Sequence, residues 1–193
     1  MQYRMEIKKE RLRDLILACL LAEGEIERGM DGELTLSVEM KCNVLSYLET
    51  YISEYDLGES TKMSAKRGQV KITSNDMEAI YASWYQGGFK IFSNRMNPKN
   101  MTFQAIILSL NLFGVRKYES LHLKTSIQKE KLPMLTHILR YHIGDVSIVP
   151  GQREIKIFNV VQLFGEHINQ LTVMDSFYLF RFLSVHDRKK LRA

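Results

Sequence analysis

The feature that most constrains this chain is an order of elements that occurs twice. From Lys8 to Ala22, Leu12, Leu15, Ile16, Cys19 and Leu20 keep the i, i+3, i+4 rhythm of an amphipathic helix, which stops at Glu23-Gly24. Glu25–Arg28 and the alternating run Glu33–Met40 predict a hairpin around Met30-Asp31-Gly32. A helix from about Asn43 to Tyr55 follows, then a second hairpin, Thr61–Ala65 with Gln69–Ser74, closed by Lys66-Arg67-Gly68. Ser74-Asn75-Asp76 reads as the cap of a third helix, Met77–Tyr85.

Past Gln86-Gly87-Gly88 and a polar link ending near Asn100, the order returns. Thr102–Phe113 predicts an apolar helix ending at Gly114, Leu121–Thr125 a strand and Glu130–His142 a helix. Val146–Val149 and Glu154–Phe158 predict a hairpin, and Val160–Ile168 a helix. Gly24 and Gly114 stand 90 residues apart, whereas Val70-Lys-Ile and Ile155-Lys-Ile stand 85 apart, the drift that shortened loops in a second copy produce. The expectation is an α/β (α+β) chain with a duplicated α-β-β-α-β-β-α fold. Residues 8–90 form the first repeat, 91–100 a linker, 101–172 the second repeat, and 173–193 a C-terminal helix and basic tail.

Composition narrows the function classes. A chain of 193 residues, 45% apolar and 25% charged, buries enough surface to fold without disulfides or metal. Its two cysteines exclude a disulfide scaffold and a four-cysteine zinc site, and Cys19 in its apolar run is expected to be a buried thiol. The longest apolar stretches, Leu15–Ala22 and Ala105–Val115, fall short of the ~20 residues that span a bilayer. Met1–Glu10 is too charged for a signal peptide, so an intracellular, non-membrane protein is expected. The formal charge of +5 leans towards an anionic partner. No Ser-His-Asp set, glycine-rich phosphate loop or dinucleotide fingerprint occurs, and the five histidines lack ligand spacing.

The segment 16–26, Ile-Leu-Ala-Cys-Leu-Leu-Ala-Glu-Gly-Glu-Ile, resembles the helix motif of LAGLIDADG homing endonucleases, with Ala22-Glu23-Gly24 where the family usually has Ala-Asp-Gly. Trp84-Tyr85-x-x-Gly88-x-Lys90 resembles the link between halves in the intron-encoded branch of that family. Leu121-x-Leu-x-Thr125, followed by Leu132-x-x-Leu135-x-x-x-Leu139, resembles the strand and helix after the second motif. The likeness spans roughly residues 10–170. It implies two motif helices packed at a pseudo-twofold axis, with Ala18 and Ala22 allowing close approach. It also implies a carboxylate at each helix end, the pair holding Mg²⁺ over two scissile phosphates. The strands of each half would form a saddle along the major groove.

The chain departs from that pattern twice. Glu23 keeps the first acid, but Phe113 stands where the second metal-binding acid belongs, and a phenyl ring cannot coordinate Mg²⁺. At most one carboxylate, Glu23, remains as catalytic and metal-binding candidate, and Glu23 reads equally as a solvent-facing acid at a helix end. Between Gly114 and Leu121 only six residues remain, so that hairpin is either very tight or replaced by a single strand. Both departures imply a pseudo-symmetric monomer that binds duplex DNA and is impaired in cleavage. The alternatives are an RNA-binding, maturase-like or ribonucleoprotein role, an active endonuclease or nickase, and a protein-binding saddle. The resemblance implies a bacterial or phage-host cytoplasm or an organelle matrix as its setting.

Lys71 and Lys156 sit centrally in equivalent strands whose apolar neighbours face the other way, so both are expected on the open face. Lys62, Lys66 and Arg67 cluster on one hairpin, Arg153 lies on the corresponding one, and Lys124 sits on the strand Leu121–Thr125. These seven are the nucleic-acid-binding candidates, weighed against ordinary solvated charge. Trp84 and Tyr85 either stack on a base or pack between the halves. The tail joins an aromatic stretch from Ser176 to a basic end.

Overall fold

A computed structural model describes residues 2–64, 66–91, 101–149, 151–158 and 160–191. The first copy comprises α1 (Gln2–Leu21), β1 (Glu25–Arg28), β2 (Leu34–Glu39), α2 (Cys42–Glu54), β3 (Thr61–Ser64), β4 (Gln69–Ile72) and α3 (Met77–Trp84). A short ribbon, β5 (Tyr85–Gln86) and β6 (Phe89–Lys90), follows. The second copy comprises α4 (Phe103–Phe113), β7 (Val115–Lys117), β8 (Ser120–Lys124), α5 (Leu132–Ile143), β9 (Val146–Ile148), β10 (Glu154–Ile157) and α6 (Val160–His167). Two short helices, α7 (Val173–Leu179) and α8 (Val185–Leu191), close the chain. The sheets have matching antiparallel orders, β1-β2-β4-β3 and β7-β8-β10-β9, so the duplicated fold is as expected. Most of the expected linker, 92–100, lies outside the described residues, as do Ala65 and Pro150 at the hairpin turns.

α1 and α4 pack against each other at the centre. α4 is buried from Ala105 to Leu112, as a helix apolar on nearly every side must be. Its first turn is fixed by Thr102, whose hydroxyl caps the amide of Ala105 and donates to Asp14 on α1. Ala18 and Ala22 are both buried, consistent with small side chains where two helices meet. Leu36, Val70 and Ile72 of the first sheet, and Leu121, Ile155 and Ile157 of the second, turn inward onto the same core.

The structure corrects the sequence reading in three places and decides a fourth that it left open. α1 begins at Gln2 rather than Lys8, because its exposed early turns carry no apolar period to read. They are tied down instead by Lys8 Nζ on Asp56 at 3.0 Å and by the Tyr51 hydroxyl donating to the Arg11 carbonyl. The second copy keeps its first hairpin, in the very tight form: Tyr118 and Glu119 alone join β7 to β8, with Tyr118 at φ 54°. Asp76 sits at the start of α3 without a side-chain cap, and the side chain that bonds there is Ser74, whose Oγ accepts the amide of Asp76. The expected single C-terminal helix is two, because Ser184 and Asp187 cap each other's amides and start a new helix there.

Gly24 and Gly114 occupy the exits of α1 and α4, and neither has a positive φ. Glycine is required there by contact. A Cβ on Gly24 would lie 2.7 Å from the Cys19 carbonyl oxygen, and one on Gly114 2.5 Å from that of Leu110, whose carbonyls accept the glycine amides at 2.9 Å. Alanine at either position forces backbone to move, and each substitution is expected to lower unfolding free energy by about 2 kcal/mol in urea denaturation. Gly58, with open space around its Cα, is the insensitive control.

Candidate nucleic-acid interface

Strand register decides which side chains share the open face of each sheet, since every second residue points the same way. In the first sheet Glu25, Ser37, Lys71 and Lys62 form one row across β1, β2, β4 and β3. The corresponding row of the second sheet is Val115, His122, Lys156 and Ser147. Lys71 and Lys156 thus hold the same central position in the two halves. Lys62 and Lys71 are direct cross-strand neighbours, both exposed, an arrangement of like charges that costs stability unless an anion lies over it. Lys156 is half-buried, its ammonium 4.5 Å from the centre of the Phe158 ring.

The second face also holds a buried carboxylate. Glu154 is only 2% exposed; Lys117 Nζ donates to its Oε1 at 2.6 Å, and His122 Nδ1 lies 3.1 Å from the same oxygen without hydrogen-bond alignment. Burial pushes the Glu154 carboxyl up, but Lys117 and His122 outweigh it and hold it below its ordinary value. Burial lowers the His122 pKa, more than Glu154 raises it. Ser120 Oγ, 3.0 Å from His122 Nε2, completes the cluster.

At the exit of α1 the side chain of Glu23 is exposed, whereas Phe113 at the exit of α4 is half-buried and packed on the core. The cation beside Glu23 is Lys90, whose Nζ donates to the carbonyls of Gly24 at 2.7 Å and Ala22 at 3.3 Å and lies 3.7 Å from Glu25. The Ala22 carbonyl also accepts the amide of Ser126 from the second half. These backbone oxygens are already spoken for. Among the described residues no cluster of three His, Cys, Asp or Glu could hold a metal ion. The donor set therefore does not fit a pair of divalent ions.

Burial lowers the Lys90 pKa to about 8, with Glu25 opposing. Below pH 8 the amine is charged whether the chain is folded or not. Between 8 and its ordinary value of 10.5 only the unfolded chain holds the proton, so stability rises with pH, by at most about 1.4 kcal/mol per unit. The Cys19 thiol, pushed up by burial to about 12 from 9.0, opposes this from pH 9 upward. A rise of about 1 kcal/mol between pH 8 and 9 is expected, then a plateau to about pH 10. Above that the Tyr47, Tyr51 and Tyr85 hydroxyls, their pKa values raised by burial, make stability fall. Urea denaturation across that range checks it, and Lys90→Gln should flatten the rise.

No protein-family model and no curated protein matches the chain. A comparison with solved structures does find a neighbour, the homing endonuclease I-WcaI bound to its DNA recognition sequence. The TM-score is 0.54 at 12% identity, over 97% of this chain and 91% of that one. The fold is homing-endonuclease-like. In such a scaffold the seven basic candidates occupy three kinds of place. Lys62, Lys71 and Lys156 lie on the rows above. Lys124 is exposed at the end of β8, opposite Glu154. Lys66 and Arg67 are exposed on the turn joining β3 to β4, and Arg153 is exposed just before β10.

Trp84 and Tyr85 are both buried, so they pack inside the homing-endonuclease-like core; the Tyr85 hydroxyl accepts the amide of Ile26 and donates to Glu25. Sequence reasoning missed Lys117, His122 and Glu154 as a cluster, because β7 was not read as a strand. The sequence places Lys90 in a link and carries no signal of its burial, at 4% exposure. No helix among the described residues is long and apolar enough to cross a membrane.

Proposed function

We propose that this protein binds duplex DNA across its two open sheet faces, as a LAGLIDADG-type scaffold whose cleavage is impaired. The observation that carries the reading is the matched pair Lys71 and Lys156, one at the centre of each face. Ammonium groups so placed suit phosphates on either side of a pseudo-twofold axis, where each neutralised phosphate releases counterions. The impairment rests on Phe113, which puts an aromatic ring at the helix exit where the other half has Glu23. The oxygens around Glu23 favour an internal ammonium, Lys90, over a metal pair.

RNA is the second reading, favoured by Tyr118. This ring is 97% exposed at the tip of the tight hairpin, where it is free to stack on an unpaired base. Selection of bound molecules from random duplex and random RNA pools tests both. Enrichment of a duplex motif supports the first reading and enrichment of single-stranded RNA the second. If neither pool is enriched, nucleic-acid binding is rejected.

A further inference from the structure

The two open faces share a register but not a chemistry. Aligning Lys71 with Lys156 makes Ser37 equivalent to His122, and stepping along the strands pairs Glu27 with Lys117 and Glu39 with Lys124. At both positions the sign of the charge inverts between the halves, and all four residues are exposed. They are not equally available. Lys117 is engaged by Glu154 at 2.6 Å, whereas no hydrogen bond or ion pair engages the side chains of Glu27, Glu39 or Lys124 among the described residues. Glu25, on the row of Lys71, is taken up by Tyr85 and Lys90.

A free carboxylate on a face meant for phosphates is repelled by them, and it is an acceptor only. Where such a face lies along a groove, it is compensated by an amino edge, cytosine N4 or adenine N6. An ammonium in the equivalent place is a donor only and suits guanine O6 and N7. Resting on the duplex-DNA reading above, we propose that the two faces read their half-sites with opposite hydrogen-bond polarity. Glu39 accepts from amino-bearing edges, and Lys124 donates to a guanine edge. A palindrome presents the same edges to both faces, so the preferred target is not palindromic at the position these two residues share.

The test is selection from a random duplex pool with the wild-type protein, Glu39→Lys and Lys124→Glu, each checked for native circular dichroism. The wild type is expected to return cytosine or adenine at one half-site and guanine at the matched place in the other, each preferred about tenfold. Glu39→Lys should convert the first preference to guanine, and Lys124→Glu should convert the second to an amino-bearing base. A palindromic wild-type motif, or one that neither substitution alters, overturns the inference and leaves duplex binding standing. Tighter binding by Glu39→Lys with an unchanged motif does the same, since Glu39 then only repels phosphate. Failure of all three proteins to enrich any duplex removes the duplex-DNA reading and this inference together.

Discussion

Replacing Asp175 with alanine is expected to lower the unfolding free energy by about 3–5 kcal/mol, the largest loss among the single substitutions considered. Asp175 on α7 is fully buried and accepts hydrogen bonds from three side chains at 2.7 Å: the Tyr47 hydroxyl, Gln104 Nε2 and the Thr172 hydroxyl. Asn111 Nδ2, at 3.4 Å, adds a weaker contact and also donates to Tyr47. Tyr47 belongs to the first copy and Gln104 and Asn111 to α4, so one carboxylate joins the C-terminal helix to both. Each donor left without an acceptor in that interior costs about 1–3 kcal/mol. The Tyr178 ring on Tyr47, with centroids 4.5 Å apart, softens the loss only partly. At this chain length the loss corresponds to a fall of roughly 10 °C in melting temperature. Asp175→Asn, which keeps the shape and part of the accepting capacity, should cost about half as much. A change below about 1 kcal/mol for alanine would show the tail to be an appendage.

The second large effect concerns binding. Reversing both central lysines, Lys71→Glu with Lys156→Glu, is expected to weaken duplex binding at least about 100-fold at moderate salt. Neither lysine makes an ion pair among the described residues, so the reversals remove no internal salt bridge, and native stability should change by less than about 1 kcal/mol. Each lost phosphate contact should also lower the slope of log affinity against log salt by about 0.9. The residues lie in separate sheets, so their free-energy effects should add. Fluorescence anisotropy at several salt concentrations measures affinity and slope together. Equal affinities for wild type and double variant would move the binding surface off the sheet faces.

These predictions draw unequally on what the sequence made legible. The duplication was readable because burial imposes a period. Val70 and Ile72 flank Lys71 as Ile155 and Ile157 flank Lys156, so the alternation alone places the central lysines on the open face. Strand β7 escaped notice because its three residues are exposed or half-buried and show no inward apolar side chain. With it went the Lys117–Glu154 pair and the sign inversion between the faces, which depends on knowing what each residue sits opposite. Asp175 and Lys90 were invisible for a different reason. A charged residue in sequence predicts solvent, and only the packed elements around it reveal a burial satisfied by Tyr47 and Gln104 or by backbone carbonyls. Phe113 was legible as a substitution at a known place in a repeat, but its packing on the core was not.

The proposed function is that of a duplicated, homing-endonuclease-like scaffold that holds duplex DNA without cutting both strands. Its most direct test is a salt titration with duplexes recovered by selection, run in Mg²⁺ and resolved on a gel that separates bound, nicked and linear DNA. The expected result is a shifted, uncut duplex whose affinity falls steeply as salt rises. Linear product from site-specific cleavage of both strands would contradict it.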